Sequence, residues 1–460
     1  MSFTPRWVSD AIFYQIFPDR FANGDHTNDP ANVEPWGAPP SPRNFFGGDL
    51  RGIVEKLSYL VDLGITALYL NPVFTSGSNH KYNTSDYLAI DPSFGSNSLF
   101  KEFLDTCHAH AIRVVIDGVF NHTGTDHRAF KDLREHGASS QYAGWYNVYS
   151  YPVSASGKPN YECWWDYGSL PKLMVRNPDV QKYLFEVTRY WTEMGVDGWR
   201  LDVPNEIPHA FWKDWRKLVK SINPECYITG EIWSDASAWL QGDEFDAVMN
   251  YRFRDACLDF FASRRTTPTE FCQSLQTIRS SYPEESLYAM QNLLGSHDTE
   301  RILTVCKNDT AVEKLAALFQ FTYVGAPMIY YGDEIGMTGG KDPDCRRTMI
   351  WDETQWNNDL HSFYRKLIHA RREFSVLRRG SFDVLQADNT QGFLAFTRTQ
   401  GSQTMLVVLN RNLDPLTTSL ACATASTMVR DVLTGNSIAV ERKAVTLTIP
   451  GTTGMLIQIS

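Results

Sequence analysis

Four carboxylate-bearing motifs stand where short β-branched runs stop, and their placement constrains the fold more than any other feature of the chain. They are DGVFNH (117–122), GVDGWRLDV (195–203), GEIW (230–233) and GSHD (295–298). IRVVID leads into the first, YIT into the third and QNLLG into the fourth. Carboxylates raised at the C-terminal ends of successive parallel strands are how a (β/α)8 barrel assembles a site. The chain is therefore expected to be α/β, a (β/α)8 TIM barrel.

The rest of the sequence agrees with that frame. Strand and helix signals alternate from about residue 11 to residue 376, the pattern of βα units around a parallel sheet. Ile53, Val54, Leu57, Leu60 and Val61 predict an apolar helix face, ended by Gly64. Asn177-Pro178-Asp179 reads as a helix start, and Leu184, Val187, Trp191 and Met194 share the face behind it. Residues 123–172 break the rhythm. They are rich in Gly, Ser, Tyr and Trp without a long helical pattern, so they are expected to form an inserted small domain after the third strand, roofing the cleft. Beyond residue 378 the period becomes two, predicting an antiparallel β-sandwich over 378–460, with the barrel over 1–122 and 173–377.

Composition excludes several classes. A net charge of −10 leaves no basic footprint, so nucleic acid is not an expected partner. No run of 18 apolar residues occurs and the N-terminus lacks a signal-peptide pattern, so no membrane partner is expected. The eight cysteines are scattered without CxxC pairs, which suits free thiols and a cytoplasmic location. Most of the 13 Trp, 21 Tyr and 26 Phe must be core, with a minority lining a cleft.

Arg200 and Asp202 lie two residues apart on one strand and so point to the same face. A guanidinium beside Asp202 favours its ionised form, as a nucleophile requires. A second carboxyl, Glu231, then suits the acid/base role, since a pair of Asp/Glu residues flanking the bond is what glycoside hydrolysis uses.

The wording and order of the four motifs resemble the α-amylase superfamily of glycoside hydrolases. The resemblance implies Asp202 as nucleophile, Glu231 as acid/base and Asp298 as a stabiliser of the transition state. It implies that Tyr82, His122, Arg200 and His297 surround the sugar before the cut, with Asp117 holding Arg200. An amylase-like scaffold without activity would lose catalytic carboxylates, and here all three positions are filled. LPKL (170–173), VPNE (203–206) and IWSD (232–235) resemble signatures of the neopullulanase, cyclomaltodextrinase and maltogenic amylase group, with Pro204 and Ser234 as departures. This places Asn205, Glu206 and Trp233 near the leaving sugars. GGKDPDC (339–345) and Arg346 match the group's loop after the eighth strand, so Asp342 and Arg346 would hold the second sugar, unless they are only a surface ion pair. The group usually carries an N-terminal β domain that mediates dimerisation; barrel signals begin here almost at Met1. A relative of that kind acts on cyclic maltosyl-(1→6)-maltose. The expected activity is therefore retaining hydrolysis of short or cyclic maltooligosaccharides to maltose-type products. Transglycosylation and endo-acting α-amylase activity are the alternatives, and a homodimer remains open.

Asn23-Gly24-Asp25-His26-Thr27-Asn28-Asp29, followed by Gly47-Gly48-Asp49, is rich in oxygen ligands. A solvated Asn/Asp turn is one reading. A structural Ca2+ bound by Asn23, Asp25, Asn28, Asp29, Gly47 and Asp49 is the other, and the resemblance to the group's calcium loop favours it.

Overall fold

A computed structural model describes residues 3–422 and 424–460. Eight parallel strands form the central sheet: β1 (Phe13–Ile16), β2 (Ala67–Leu70), β3 (Arg113–Gly118), β4 (Gly198–Leu201), β5 (Tyr227–Gly230), β6 (Ala247–Val248), β7 (Gln291–Leu293) and β8 (Ala326–Tyr330). They pair in the order β6-β5-β4-β3-β2-β1-β8-β7. A parallel bridge from Met249 to Gln291 joins the two ends, with Asn250 N donating to Gln291 O at 2.8 Å. The sheet is thus a closed barrel. Nearly every strand residue is buried, because the barrel interior covers one face and the helices the other.

Local chemistry sets the helices that space these strands. Asn177 caps the helix Pro178–Met194 by accepting from Asp179 N, Pro178 occupies its first turn, and Gly195 ends it at φ 117°. Gly64, at φ 96°, closes the helix before β2 in the same way. The expected apolar face there shifts. The helix breaks at Lys56, and Leu50, Ile53, Leu57, Leu60 and Leu63 face the core, while Val61 is exposed and Val54 half-buried. Leu50, Ile53, Leu57 and Leu60 keep helical spacing, and Val54 and Val61 lie at the edge of that stripe.

Residues 123–172 leave β3 and return to the helix before β4. They include one short helix, Arg128–His136, that buries Ala129, Phe130 and Leu133. Four isolated antiparallel bridges hold the segment: His122 to Lys172, Tyr146 to Leu173, Val148 to Tyr161 and Cys163 to Pro171.

The C-terminal strands are β9 (Asp383–Asp388), β10 (Phe393–Gln400), β11 (Gln403–Asn410), β12 (Leu416–Ala421), β13 (Met428–Asp431), β14 (Ser437–Glu441), β15 (Ala444–Ile449) and β16 (Thr453–Gln458). They form one antiparallel sheet in the order β9-β10-β11-β16-β13-β14-β15-β12. Period two sorts their apolar residues. Leu394, Phe396, Met405, Val407 and Leu409 join the barrel's core, while Phe393, Ala395, Leu406 and Val408 meet Leu420, Val445 and Leu447 in a second core inside the folded-over sheet. Buried Arg398 ties the module to the barrel by donating to the carbonyls of Thr322, Leu377, Gly380 and Ser381. All eight cysteines are free, and no helix among the described residues is long and apolar enough to cross a membrane.

Candidate active site

The strand-end motifs converge at the C-terminal mouth of the barrel. Arg200, fully buried near the end of β4, is the hub. Its Nη1 donates to Asp117 Oδ1 at 3.0 Å and to Asp202 Oδ1 at 2.9 Å. Its Nη2 lies 3.0 Å from Glu231 Oε2, a close ion pair that is too poorly aligned for a hydrogen bond. One guanidinium therefore brings Asp202 and Glu231 side by side. Glu231 is fixed further by Trp233, whose indole N–H donates to Oε1 at 2.9 Å, and by Val203 N–H, 3.2 Å from Oε2. Val203 holds that N–H in place at φ 34°, a strained conformation for a β-branched residue. Trp233 in turn stacks on Tyr251 at 3.8 Å, so it orients the acid/base candidate as well as bordering the cleft.

The electrostatics revise one expectation. Arg200 was expected to hold Asp202 in its ionised range. Burial instead pushes the Asp202 carboxyl well up, opposed by Arg200 and reinforced by Glu231 and Asp117. Burial also raises Asp117, to about 6. The physical reason is charge count: a single cation is shared among three desolvated carboxyls, so it cannot offset them all. Protons in such a set belong to the group as a whole.

Beside this cluster, Tyr82 and His297 stack at 5.5 Å with 8° between their planes. Gln15 Nε2 donates to His297 Nδ1 at 2.8 Å, an amide orientation assigned from the network, which places the ring proton on Nε2. Nε2 lies 2.7 Å from Tyr82 Oη and 3.0 Å from Asp298 Oδ2. Tyr82 donates to Asp117 Oδ2 and accepts from Asn71 Nδ2. Burial, with Arg346 and Arg200 nearby, holds His297 well below the usual imidazole range, and burial lowers His122 to about 4. Both rings are neutral hydrogen-bonding groups at neutral pH. His122 Nε2 and Gln15 Oε1 are buried without a protein partner, which suits groups awaiting a polyhydroxylated ligand.

Asp298 also pairs with Arg346 at 3.1 Å, and Arg346 reaches Asp342 at 3.1 Å. The resemblance-derived contacts Asp342 and Arg346 thus adjoin Asp298 rather than forming a detached surface pair. Glu206 pairs with Lys172 at 3.1 Å, tying the loop after Asp202 to the inserted segment. Asn205 is exposed beside it, and no hydrogen bond or ion pair joins it to the carboxylates.

Gln15, Tyr69, Asn71 and Tyr251 were missed by sequence reasoning. A lone Gln inside the apolar run AIFYQIF, and an Asn directly after ITALYL, were the available signals.

The oxygen-rich loop has a mixed character. Asp49 accepts from Gly24 N, Asp25 N, Gly52 N and Asn28 Nδ2, and caps the helix Leu50–Glu55, so its four acceptor positions are engaged. Asp25 spends one oxygen on Thr27 N and Oγ1. Asn23 Oδ1 and Asn28 Oδ1, however, are buried without partners. A Cβ on Gly47, at φ 78°, would lie 2.2 Å from Asp29 Oδ1 and 2.4 Å from Asn23 Nδ2, so the glycine completes a close cradle. Among the described residues no group of three or more His, Cys, Asp or Glu converges as a metal site would, so an ion here would depend on amide and carbonyl oxygens.

Paired carboxyls at the mouth of a (β/α)8 barrel, with neutral histidines and unpartnered polar atoms about them, define a glycoside hydrolase. The chain belongs to the α-amylase family: the model of the alpha amylase catalytic domain matches residues 15–378, and that of the maltogenic amylase C-terminal domain matches residues 382–453. It is 46% identical to neopullulanase 2 of Thermoactinomyces vulgaris, covering 99% of this chain and 78% of that protein. It is 50% identical to the cyclomaltodextrinase of Thermoanaerobacter pseudethanolicus, covering 89% and 71%. Among solved structures, the cyclic α-maltosyl-(1→6)-maltose hydrolase of Arthrobacter globiformis, in complex with cyclic α-maltosyl-(1→6)-maltose, superposes with a TM-score of 0.91 at 39% identity, covering 99% of both chains.

Proposed function

We propose that this enzyme hydrolyses α-glucosidic bonds in short or cyclic maltooligosaccharides with retention of configuration. The observation that carries the reading is the Arg200 fork reaching both Asp202 and Glu231. Two carboxyls bridged by adjacent nitrogens of one guanidinium suit the retaining separation of about 5–5.5 Å better than the wider inverting one. Glu231 protonates the leaving oxygen as Asp202 attacks the anomeric carbon. Water, deprotonated by Glu231, then releases the sugar from Asp202. Asp298, flanked by His297 and Arg346, grips the hydroxyls of the reacting sugar, and His122 Nε2 supplies a further hydrogen bond. The inserted segment roofs the cleft, which favours compact glucans over long polymers, and two of the named relatives are a cyclomaltodextrinase and a cyclic α-maltosyl-(1→6)-maltose hydrolase. NMR of freshly released product should show the α-anomer, and kcat/KM for cyclic maltosyl-maltose or a cyclomaltodextrin should exceed that for soluble starch. Inverted product would refute the mechanism; faster starch cleavage would indicate an endo-acting α-amylase.

We also propose a structural Ca2+ in the N-terminal loop, held by Asn23, Asn28, Asp29 and the Gly47 carbonyl, with Asp25 and Asp49 alongside. The two unpartnered amide oxygens and the Gly47 cradle support it. Such an ion would neutralise the loop's carboxylates and would touch no reacting group. Because it binds only the folded loop, chelation should lower the melting temperature and added Ca2+ should restore it; no response to chelator, with no metal by elemental analysis, would refute it. The free, mostly buried thiols support a reducing, cytoplasmic setting.

A further inference from the structure

The inserted segment carries an aromatic group that bond cleavage does not use. Trp164 lies 6.0 Å from His122, centroid to centroid. Trp165 stacks on Trp164 at 5.1 Å with 14° between the planes, and Tyr167 lies against Trp164 at 5.9 Å and 22°. Trp165 is 75% exposed and Tyr167 57%. Burying an indole of this size would stabilise the fold by about 2–3 kcal/mol, so folding gives no reason to leave it outside. The backbone adds a cost, since Trp165 sits at φ 46° and Asp166 at φ 60°, where bulky side chains are disfavoured.

The turn is nevertheless well held. Trp164 N donates to Leu170 O, Tyr167 N to Trp164 O and Leu170 N to Tyr167 O, at 2.9–3.0 Å. The Cys163–Pro171 bridge closes its base directly beside the His122–Lys172 bridge, and Lys172 reaches across to Glu206. This fixes the ring pair to the rim of the cleft, outward from His122. Trp164 Nε1 is buried there without a hydrogen-bond partner.

We propose that Trp165, backed by Trp164 and flanked by Tyr167, is a stacking platform for glucosyl units beyond those adjoining the cut, and that it determines preference for substrates large enough to reach it. The C–H face of a glucopyranose is apolar and flat enough to lie on an indole. Strain spent to present a rigid ring lowers the ordering cost of binding, the usual benefit of a preorganised aromatic contact. The inference rests on the glucan-hydrolase reading above and assigns the part of the substrate that the carboxylate cluster does not touch.

The test compares Trp165→Ala and Trp165→Phe in the full chain, on α-maltosyl fluoride, maltohexaose and β-cyclodextrin. Trp165→Ala should raise KM for the two larger substrates about tenfold, the scale of one lost aromatic stacking contact, with kcat unchanged. Hydrolysis of α-maltosyl fluoride should stay within about twofold on the same scale. Trp165→Phe should recover most of the loss, which a merely structural role of the turn would not predict. Equal losses on short and long substrates, or no change on any, would overturn the assignment. Calorimetric titration of maltohexaose into Glu231→Gln proteins with and without Trp165 reads the platform without turnover. Binding that depends on Trp165 in a chain that hydrolyses none of the probes would uphold the platform and refute the proposed function; binding indifferent to Trp165, in a chain that hydrolyses the probes, would overturn the platform alone.

Discussion

The barrel contains two clusters built from the same parts, one open to the cleft and one sealed in the wall. In the first, Arg200 faces Asp117, Asp202 and Glu231, with the hydroxyls of Tyr69 and Tyr82 on Asp117. In the second, beyond the end of β8, Arg301 pairs with Asp333 at 2.9 Å, while Glu334 accepts from Tyr14 and Tyr59 and Glu313 from Tyr364. Desolvation raises carboxyls in both, Asp333 to about 7. The second cluster differs in surroundings. Arg301 lies against Tyr330 and Tyr331, and Glu313 and Glu334 are completely buried. Perturbed carboxyls alone therefore do not mark a catalytic site; an exit to substrate does. The open cluster faces the cleft, whereas the sealed one holds β8 and its following loop to the adjoining helices.

The largest expected effect separates them by activity. Asp202→Asn or Glu231→Gln should lower kcat by roughly three orders of magnitude or more, with the circular dichroism spectrum and melting temperature near those of the parent. Retention of activity within tenfold would remove these residues from the chemistry and erase the contrast.

The next effect runs the other way. Asp333→Ala strips the partner from a buried guanidinium and should cost on the order of 3–5 kcal/mol of stability, read from denaturant unfolding. Measured well below its melting point, kcat should change little. A collapse of kcat at unchanged stability would make the sealed cluster part of the active site.

The smallest effect sharpens the electrostatic point. Glu313 is raised well above 4.5, first by burial and then by Asp333. A carboxyl raised in the folded state contributes stability that is full below its unfolded value and is lost as pH rises through the folded one. Glu313→Gln lacks that loss. The variant should match the parent near pH 4 and exceed it increasingly as pH rises above about pH 5, in paired thermal melts. A pH-independent difference would show that Glu313 carries its charge in the fold.

Much of this contrast was beyond the reach of the sequence. Asp333 and Glu334 follow a β8 run, PMIYYG, just as Asp202 and Glu231 follow theirs, and one-dimensional placement treats them alike. Only the backbone path sends Glu334 between Tyr14 and Tyr59, away from the mouth. Val61 lies at the edge of the apolar stripe, where the helical period alone does not separate buried from exposed positions. Gln15 and Asn71 were overlooked because their value lies in reaching His297 and Tyr82 across 282 and 11 positions of chain.

The sequence by itself determined the alternation of strands and helices, the caps at Asn177 and Gly64, and the strand-end carboxylates, because each follows from local stereochemistry or from the two- and 3.6-residue periods. It also determined that Arg200 and Asp202 share a face, a consequence of spacing alone. Tertiary structure decided how many carboxyls share Arg200, which histidine nitrogens are left unpartnered, and that Trp165 stands exposed at the cleft rim. Those properties depend on desolvation and on distances between residues far apart in the chain, and no local rule encodes either.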